Sequence, residues 1–198
     1  MDMGVAPLRF DLSLPDWAEQ TLRRAPAQFG PIEERMRWVI ELARTNFRRD
    51  TGGPFAAGVF ERDSGRLVSI GVNRVVPMGC SSAHAEMMAL SLAQRARGTH
   101  DLGGPGQPAH QLVVNWCPCA MCCGAICWSG IRDVVIAGSG PELELITGFD
   151  EGPIHPRWAD ELRRRGIAVA DGVLRDETID AFREFAGSGR PVYNARKG

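Results

Sequence analysis

Two short segments gather side chains able to hold a metal ion and move protons: His84-Ala85-Glu86, and Cys117-Pro118-Cys119-Ala120-Met121-Cys122. Zinc takes imidazole nitrogen and thiolate sulfur, and a catalytic site keeps three protein ligands and a fourth position for water. His84 and two cysteines meet that count. Cys119 and Cys122 leave the same side of an opening helical turn, where the helix dipole favours the thiolate form. Cys123, four after Cys119, falls on that side too, so spacing alone leaves it open as a ligand. Cys127, two turns from the helix start, is expected in the core. Zinc brings the pKa of its bound water toward neutrality, and a nearby carboxylate that is not a ligand can then carry protons to and from a substrate. Glu86 suits that task only if His84 sits at a helix cap, because residues two apart on a regular helix face away from each other. A closed structural zinc site would want four ligands and would have no use for Glu86.

These residues need a scaffold of alternating strands and helices. Met36, Val39, Ile40, Ala43 and Phe47 recur at steps of three and four and predict a helix over 33–49. Two β-compatible runs, 55–61 and 67–72, flank an Asp- and Gly-bearing turn and predict a hairpin. After a loop at 73–82, the stretch 83–97 is rich in Ala, Met and Leu and reads as a helix stopped by Gly98. Residues 99–110, with three Gly and two Pro, form a loop. A buried strand at 112–116, a helix at 118–128 and a second buried strand at 133–137 follow without a hairpin, which implies parallel pairing. A helix at 157–165, a strand at 167–170 and a helix at 177–185 complete a three-layer α/β/α domain with a mixed central sheet. Residues 1–30, broken by Pro7, Pro15 and Pro26, are expected to be an arm on the surface, with the domain proper at 31–198.

The chain has 198 residues, 44% hydrophobic and 24% charged, which suits one folded unit able to bury a core. Its 23 basic and 24 acidic residues give a net charge of -1, a poor footprint for gripping a phosphate backbone, so a large nucleic-acid interface is disfavoured. The apolar runs are too short for a membrane helix, and residues 1–30 lack the pattern of a signal peptide. Five of the six cysteines lie within the eleven residues 117–127, a clustering that fits metal chemistry in a reducing, cytoplasmic compartment.

With these residues in view, the sequence resembles the cytidine deaminase-like superfamily, and within it the bacterial guanine deaminase branch. The H-x-E and P-C-x-x-C motifs carry the likeness. The stretches Gly-Gly-Pro-Phe55-Ala-Ala, Gly-Val-Asn73-Arg-Val-Val-Pro, Gly-Ala-Ile-Cys-Trp-Ser-Gly-Ile, Gly-Phe-Asp150-Glu151-Gly-Pro and Tyr193-Asn-Ala-Arg support it. The resemblance implies the cytidine deaminase-like fold and one zinc per subunit on His84, Cys119 and Cys122, choosing Cys122 over Cys123. It also implies proton shuttling by Glu86 with help from Glu151, and a base held by Phe55, Asn73, Ala85, Cys117 and Asp150. A homodimer is expected, with the tail 190–197 lying over a pocket, its own or its partner's. Alone, Phe55 would be read as core, Asn73 as a turn residue and Asp150-Glu151 as a solvated pair.

The expected reaction is hydrolytic deamination of a free heterocyclic base, guanine to xanthine and ammonia. The alternatives are another aminated heterocycle (an aminotriazine, a modified purine or a cytosine-type base), a tRNA adenosine deaminase, or a zinc-binding protein without activity. One position departs from the family: Cys117 stands where most relatives carry Glu. Proline restricts the residue before it to an extended conformation, so Cys117 closes the strand at the lip of the zinc site. A thiol beside zinc and a helix N-terminus is prone to ionise. Trp116 is expected to point to the other face and pack in the core; reaching the pocket wall, it would narrow the pocket.

Overall fold

The computed structural model describes residues 9–194. Its elements run α1 (Trp17–Arg24), α2 (Ile32–Arg48), β1 (Ala56–Glu61), β2 (Leu67–Val72), α3 (Val75–Met78), α4 (Ala85–Arg97), β3 (His110–Val114), α5 (Ala120–Ser129), β4 (Asp133–Ile136), α6 (Glu142–Thr147), α7 (Trp158–Arg164), β5 (Ala168–Ala170) and α8 (Arg175–Gly187). The five strands form one sheet in the order β2-β1-β3-β4-β5. β1 is antiparallel to β2 and to β3, whereas β3, β4 and β5 are mutually parallel. The sheet is therefore mixed, as the hairpin followed by strand-helix-strand units requires.

Successive side chains on a strand face opposite ways, and here both faces are apolar. Ala56 and Phe60 of β1, Val113 of β3 and Val135 of β4 join a core with α2. Their neighbours Ala57, Val59, Leu112, Val114, Val134 and Ile136 join a second core with α4, α5 and α7. Three layers result. The helices end where the backbone turns left-handed at glycine: Gly98 (φ 64°) stops α4 and Gly130 (φ 80°) stops α5. Gly71 of β2 is needed for a different reason. A Cβ there would come within 1.9 Å of the Ala85 carbonyl oxygen, so only glycine lets the first turn of α4 lie against the sheet.

The N-terminal segment differs from the expected surface arm. Residues 17–24 form α1, and Trp17, Ala18 and Phe29 are buried in the core on the α2 face. Phe29 packs on Trp38 and Phe60, and Trp17 Nε1 donates to Thr51 Oγ1 at 3.0 Å. The prolines break the segment into short pieces but do not prevent Trp17 and Phe29 from being buried, whereas Phe10 stays exposed. Two short helices, α3 and α6, lie where no helix is read from the sequence; each is under two turns and carries little periodic signal. The α5 helix begins at Ala120 and not at Pro118, because Cys119 is an extended N-cap (φ -64°, ψ 173°). Among the described residues no helix is long and apolar enough to cross a membrane.

Candidate active site

Two helix starts meet on one side of the sheet. His84 is the N-cap of α4 with extended backbone (φ -72°, ψ 159°), which swings its ring out of the helical path and lets Glu86, in the first turn, point the same way. Cys119 caps α5 in the same extended fashion and Cys122 follows in its first turn. His84 Nδ1 lies 3.5 Å from Cys119 Sγ and 3.7 Å from Cys122 Sγ, and the three donor atoms all lie within 4.8 Å of one another. Tetrahedral zinc with Zn–N near 2.0–2.1 Å and Zn–S near 2.3 Å gives N···S edges of about 3.6 Å. The donor set and its spacing therefore fit zinc. Cys123 does not join them, since its thiol donates to the Pro118 carbonyl at 3.5 Å. Cys127 packs partly buried against the second core.

The metal-ligating group opens into a cavity of about 280 Å³ lined in part by Phe55, Asn73, Ala85, Glu86, Cys117, Asp150 and Glu151. Every site residue singled out in the sequence thus reaches this cavity except Cys122, which lies beneath it at 0% exposure. Trp116, Phe149, Tyr193 and Asn194 line it as well. Trp116 is both a buried core residue and part of the wall. Tail residues 195–197 lie outside the described residues; Tyr193 and Asn194 border the cavity of their own chain.

Backbone fastenings hold the walls. Asn115, fully buried, accepts from Ala56 N and donates to the Pro54 carbonyl, both at 2.9 Å, which clamps Phe55 on both flanks. Asn46 donates to the carbonyls of Gly53 and Asn73 at 2.9 Å. Gly52, at φ 153°, is wedged so tightly that a Cβ would meet the Asn73 carbonyl oxygen at 1.8 Å. Asn73 Oδ1 accepts from Gly53 N and Val75 N at 3.4 Å, and its Nδ2 donates to the Tyr193 hydroxyl at 2.6 Å. Tyr193 in turn packs on Phe149 and on the His84 ring. The sequence offers no periodic signal for Asn46 and Asn115; a polar amide inside an apolar run (Leu112 to Trp116) is the one hint of Asn115.

Burial governs the charges here. It pushes the Glu86 carboxyl up to about 7, with Cys119 adding to the effect, and Glu151 up to about 8, with Cys119 and Glu86 adding. Burial opposes a charge on His84, but Cys119, Glu86 and Glu151 outweigh it and raise its pKa. Cys119 is drawn down to about 4 by its hydrogen bond with Cys122 and then by His84, against burial. Burial pushes the Cys117 thiol up to about 12, with Glu151 adding. Asp150 is exposed at the rim, and its carboxylate accepts from Gly152 N at 2.8 Å, which shapes the loop under Glu151.

Comparison with known proteins agrees with this geometry. Residues 31–138 match the family model described as the cytidine and deoxycytidylate deaminase zinc-binding region. The solved structure of guanine deaminase from Nitrosomonas europaea is similar at 47% identity and a TM-score of 0.86, over 93% of this chain and all of that one. Related structures hold 2,6-diaminopurine and 8-azaguanine. Guanine deaminase of Bacillus subtilis is 27% identical over 74% of this chain and 90% of its own length. A probable cytosine deaminase of Schizosaccharomyces pombe is 32% identical over 72% and 85%. The metal-ligating triad, the mixed sheet that presents it and the match across more than half of the sequence place this chain in the cytidine and deoxycytidylate deaminase family, as a zinc-dependent hydrolytic deaminase.

Proposed function

We propose that this protein deaminates free guanine to xanthine and ammonia. The observation that carries the reading is a cavity of about 280 Å³ that joins the metal-ligating group to two carboxyls, the buried Glu86 and the partly buried Glu151. That volume lies just under the range of about 300–1,000 Å³ usual for drug-sized ligands and suits a single base. The relatives named as guanine deaminases support the choice of base.

When bound, zinc supplies a water acidified toward neutrality. Glu86 takes a proton from the attacking water and delivers it to the ring nitrogen beside the amine-bearing carbon. With the water oxygen bonded to that carbon, its remaining proton passes by way of Glu86 to the amine, the C–N bond breaks, and ammonia leaves with a carbonyl in its place. Glu151 assists at the substrate as a protonated carboxyl able to donate. Phe55 offers an aromatic face, and Asn73, with its oxygen turned to two backbone N–H groups, presents N–H to an acceptor on the base. Ala85 stands in the first turn of α4, where backbone N–H groups have no partner within the helix. Cys117 adds a thiol to the wall, and Asp150, at the rim, supports the loop that carries Glu151.

The second reading is an aminotriazine, a modified purine or a cytosine-type base, favoured by Cys117 and Trp116 on the wall. A tRNA substrate fits less well, since Tyr193 and Asn194 narrow the border of the cavity and the net charge is -1. We place the protein in the cytoplasm, in keeping with its six free thiols. It forms a homodimer: α5 carries no charged residue, and its Trp128 is 86% exposed. An ammonia-release screen over aminopurines, pyrimidines, pterins and aminotriazines tests the reading. Guanine is expected to have the highest kcat/KM; a better triazine or pyrimidine overturns guanine as the substrate.

A further inference from the structure

Trp116 lies two residues past the end of β3, and although it lines the cavity only 1% of its surface is exposed. The indole is fixed by three neighbours. Phe182 meets it nearly perpendicular at 5.3 Å between centroids, and the Arg175 guanidinium lies 5.0 Å from its ring centroid. Gly138 sits so close to the six-membered ring that a Cβ there would come within 2.6 Å of Cζ3. Arg175 is itself tethered, donating to the Ser139 carbonyl at 3.1 Å and to Glu142 at 2.6 Å. The buried indole N–H finds no acceptor among the described residues. A large ring held in this way cannot retreat, because a close-packed interior has no space to receive it.

We infer that Trp116 is the rigid wall that sets the size of the base this cavity accepts, and that Arg175 is the residue that positions it. The inference rests on the nucleobase reading above and deepens it. An unaccommodated methyl group in a fixed apolar pocket costs about 10–200-fold in kcat/KM. The zinc-loaded protein should therefore discriminate against at least one ring-methylated guanine by about that factor.

The experiment compares guanine with its N1-, N7- and N9-methyl derivatives, by ammonia release and by calorimetric Kd, in wild type, Trp116→Leu, Trp116→Phe, Arg175→Met and Arg175→Lys. Trp116→Leu should relieve the disfavoured isomer at least about tenfold relative to guanine. Arg175→Met should shift the same isomer in the same direction, by less, while Arg175→Lys, which keeps a cation on the indole, stays near wild type. A purely structural role would lower every substrate together and leave the ratios unmoved. Parallel losses across the isomers, or a wild type that treats all four bases alike, overturn the inference. If the zinc-loaded wild type releases no ammonia from guanine, the proposed reaction fails, and the Kd series still decides whether Trp116 sets the size limit. Trp116→Phe and the Arg175 variants keep the test open should Trp116→Leu not fold.

Discussion

His84, Glu86, Cys119 and Cys122 come from the opening turns of two helices, α4 and α5, whereas Phe55, Asn73, Phe149 and Tyr193 come from four segments scattered between residues 55 and 193. In the first group a helix cap fixes each pair of side chains within three residues. In the second, each side chain depends on a partner far away in sequence, as Asn73 does on Tyr193 and Phe55 on Asn115. Chemistry is therefore placed by local backbone geometry and substrate fit by long-range contact. Substitutions in the first group should abolish turnover, and those in the second should change affinity and preference.

The largest expected effect is at Glu86. Glu86→Gln keeps the shape and the zinc but removes the proton carrier, so kcat should fall by about a hundred- to ten-thousand-fold, the usual worth of general acid-base help. Zinc content and the unfolding midpoint should stay near wild type. A rate close to wild type would falsify the division between floor and walls at its root.

Next come the ligands. Cys119→Ala and Cys122→Ala should each lose most of their zinc, because two remaining donors hold the ion poorly. Cys127→Ala, partly buried against the second core, should keep it. Metal analysis of purified protein decides this, and full loading of both ligand variants would mean that Cys123 can take over.

The two groups were unequally legible in the sequence. The floor was readable because His-x-Glu and Cys-x-x-Cys are spaced within a turn, so chemistry and local geometry arrive together. Glu86 required His84 to sit at a helix cap, and the structure places that cap there, so that α4 begins at Ala85, two residues after the start of the helix read over 83–97. The central strands and main helices were legible by periodicity. The walls were not. Trp116 reads as core and is core, yet one edge reaches the cavity, and no spacing rule distinguishes the two. α6 is only six residues long, and Phe149 follows its end in a loop. Trp17 and Phe29 looked like surface because proline breaks their segment, but burial is decided by what the sheet face leaves uncovered.

A smaller effect is expected at Tyr193, and it separates fit from chemistry. Tyr193→Phe keeps the ring against Phe149 and removes the oxygen that accepts from Asn73 Nδ2. A neutral hydrogen bond contributes about 0.5–1.5 kcal/mol, so KM should rise by about 2–10-fold while kcat changes little. Steady-state kinetics on guanine reads both constants. A loss in kcat comparable to that of Glu86→Gln would move Tyr193 from the walls to the reacting group.

The smallest effect lies at the far end of β1, the strand that begins beside Phe55 at the cavity. Glu61 is held down to about 2, chiefly by its hydrogen bond with Arg66, with Ser64 and Arg97 contributing, while burial works against this. A carboxyl whose pKa is lower folded than unfolded stabilises the fold above its unfolded value, near 4.5, and loses that contribution as pH falls through about 2. Its partner Arg66 is half exposed, so solvent screening limits the gain to about 0.2–1 kcal/mol. Glu61→Gln should lower the unfolding midpoint at pH 7 by about 1–4 °C, and the gap to wild type should narrow steadily below pH 4.5. Turnover at pH 7 should not change, because the strand's cavity end is clamped separately by Asn115. If Glu61→Gln altered KM or kcat, β1 would be transmitting strain along its length, and the fit of Phe55 would depend on the whole strand and not on the amide beside it.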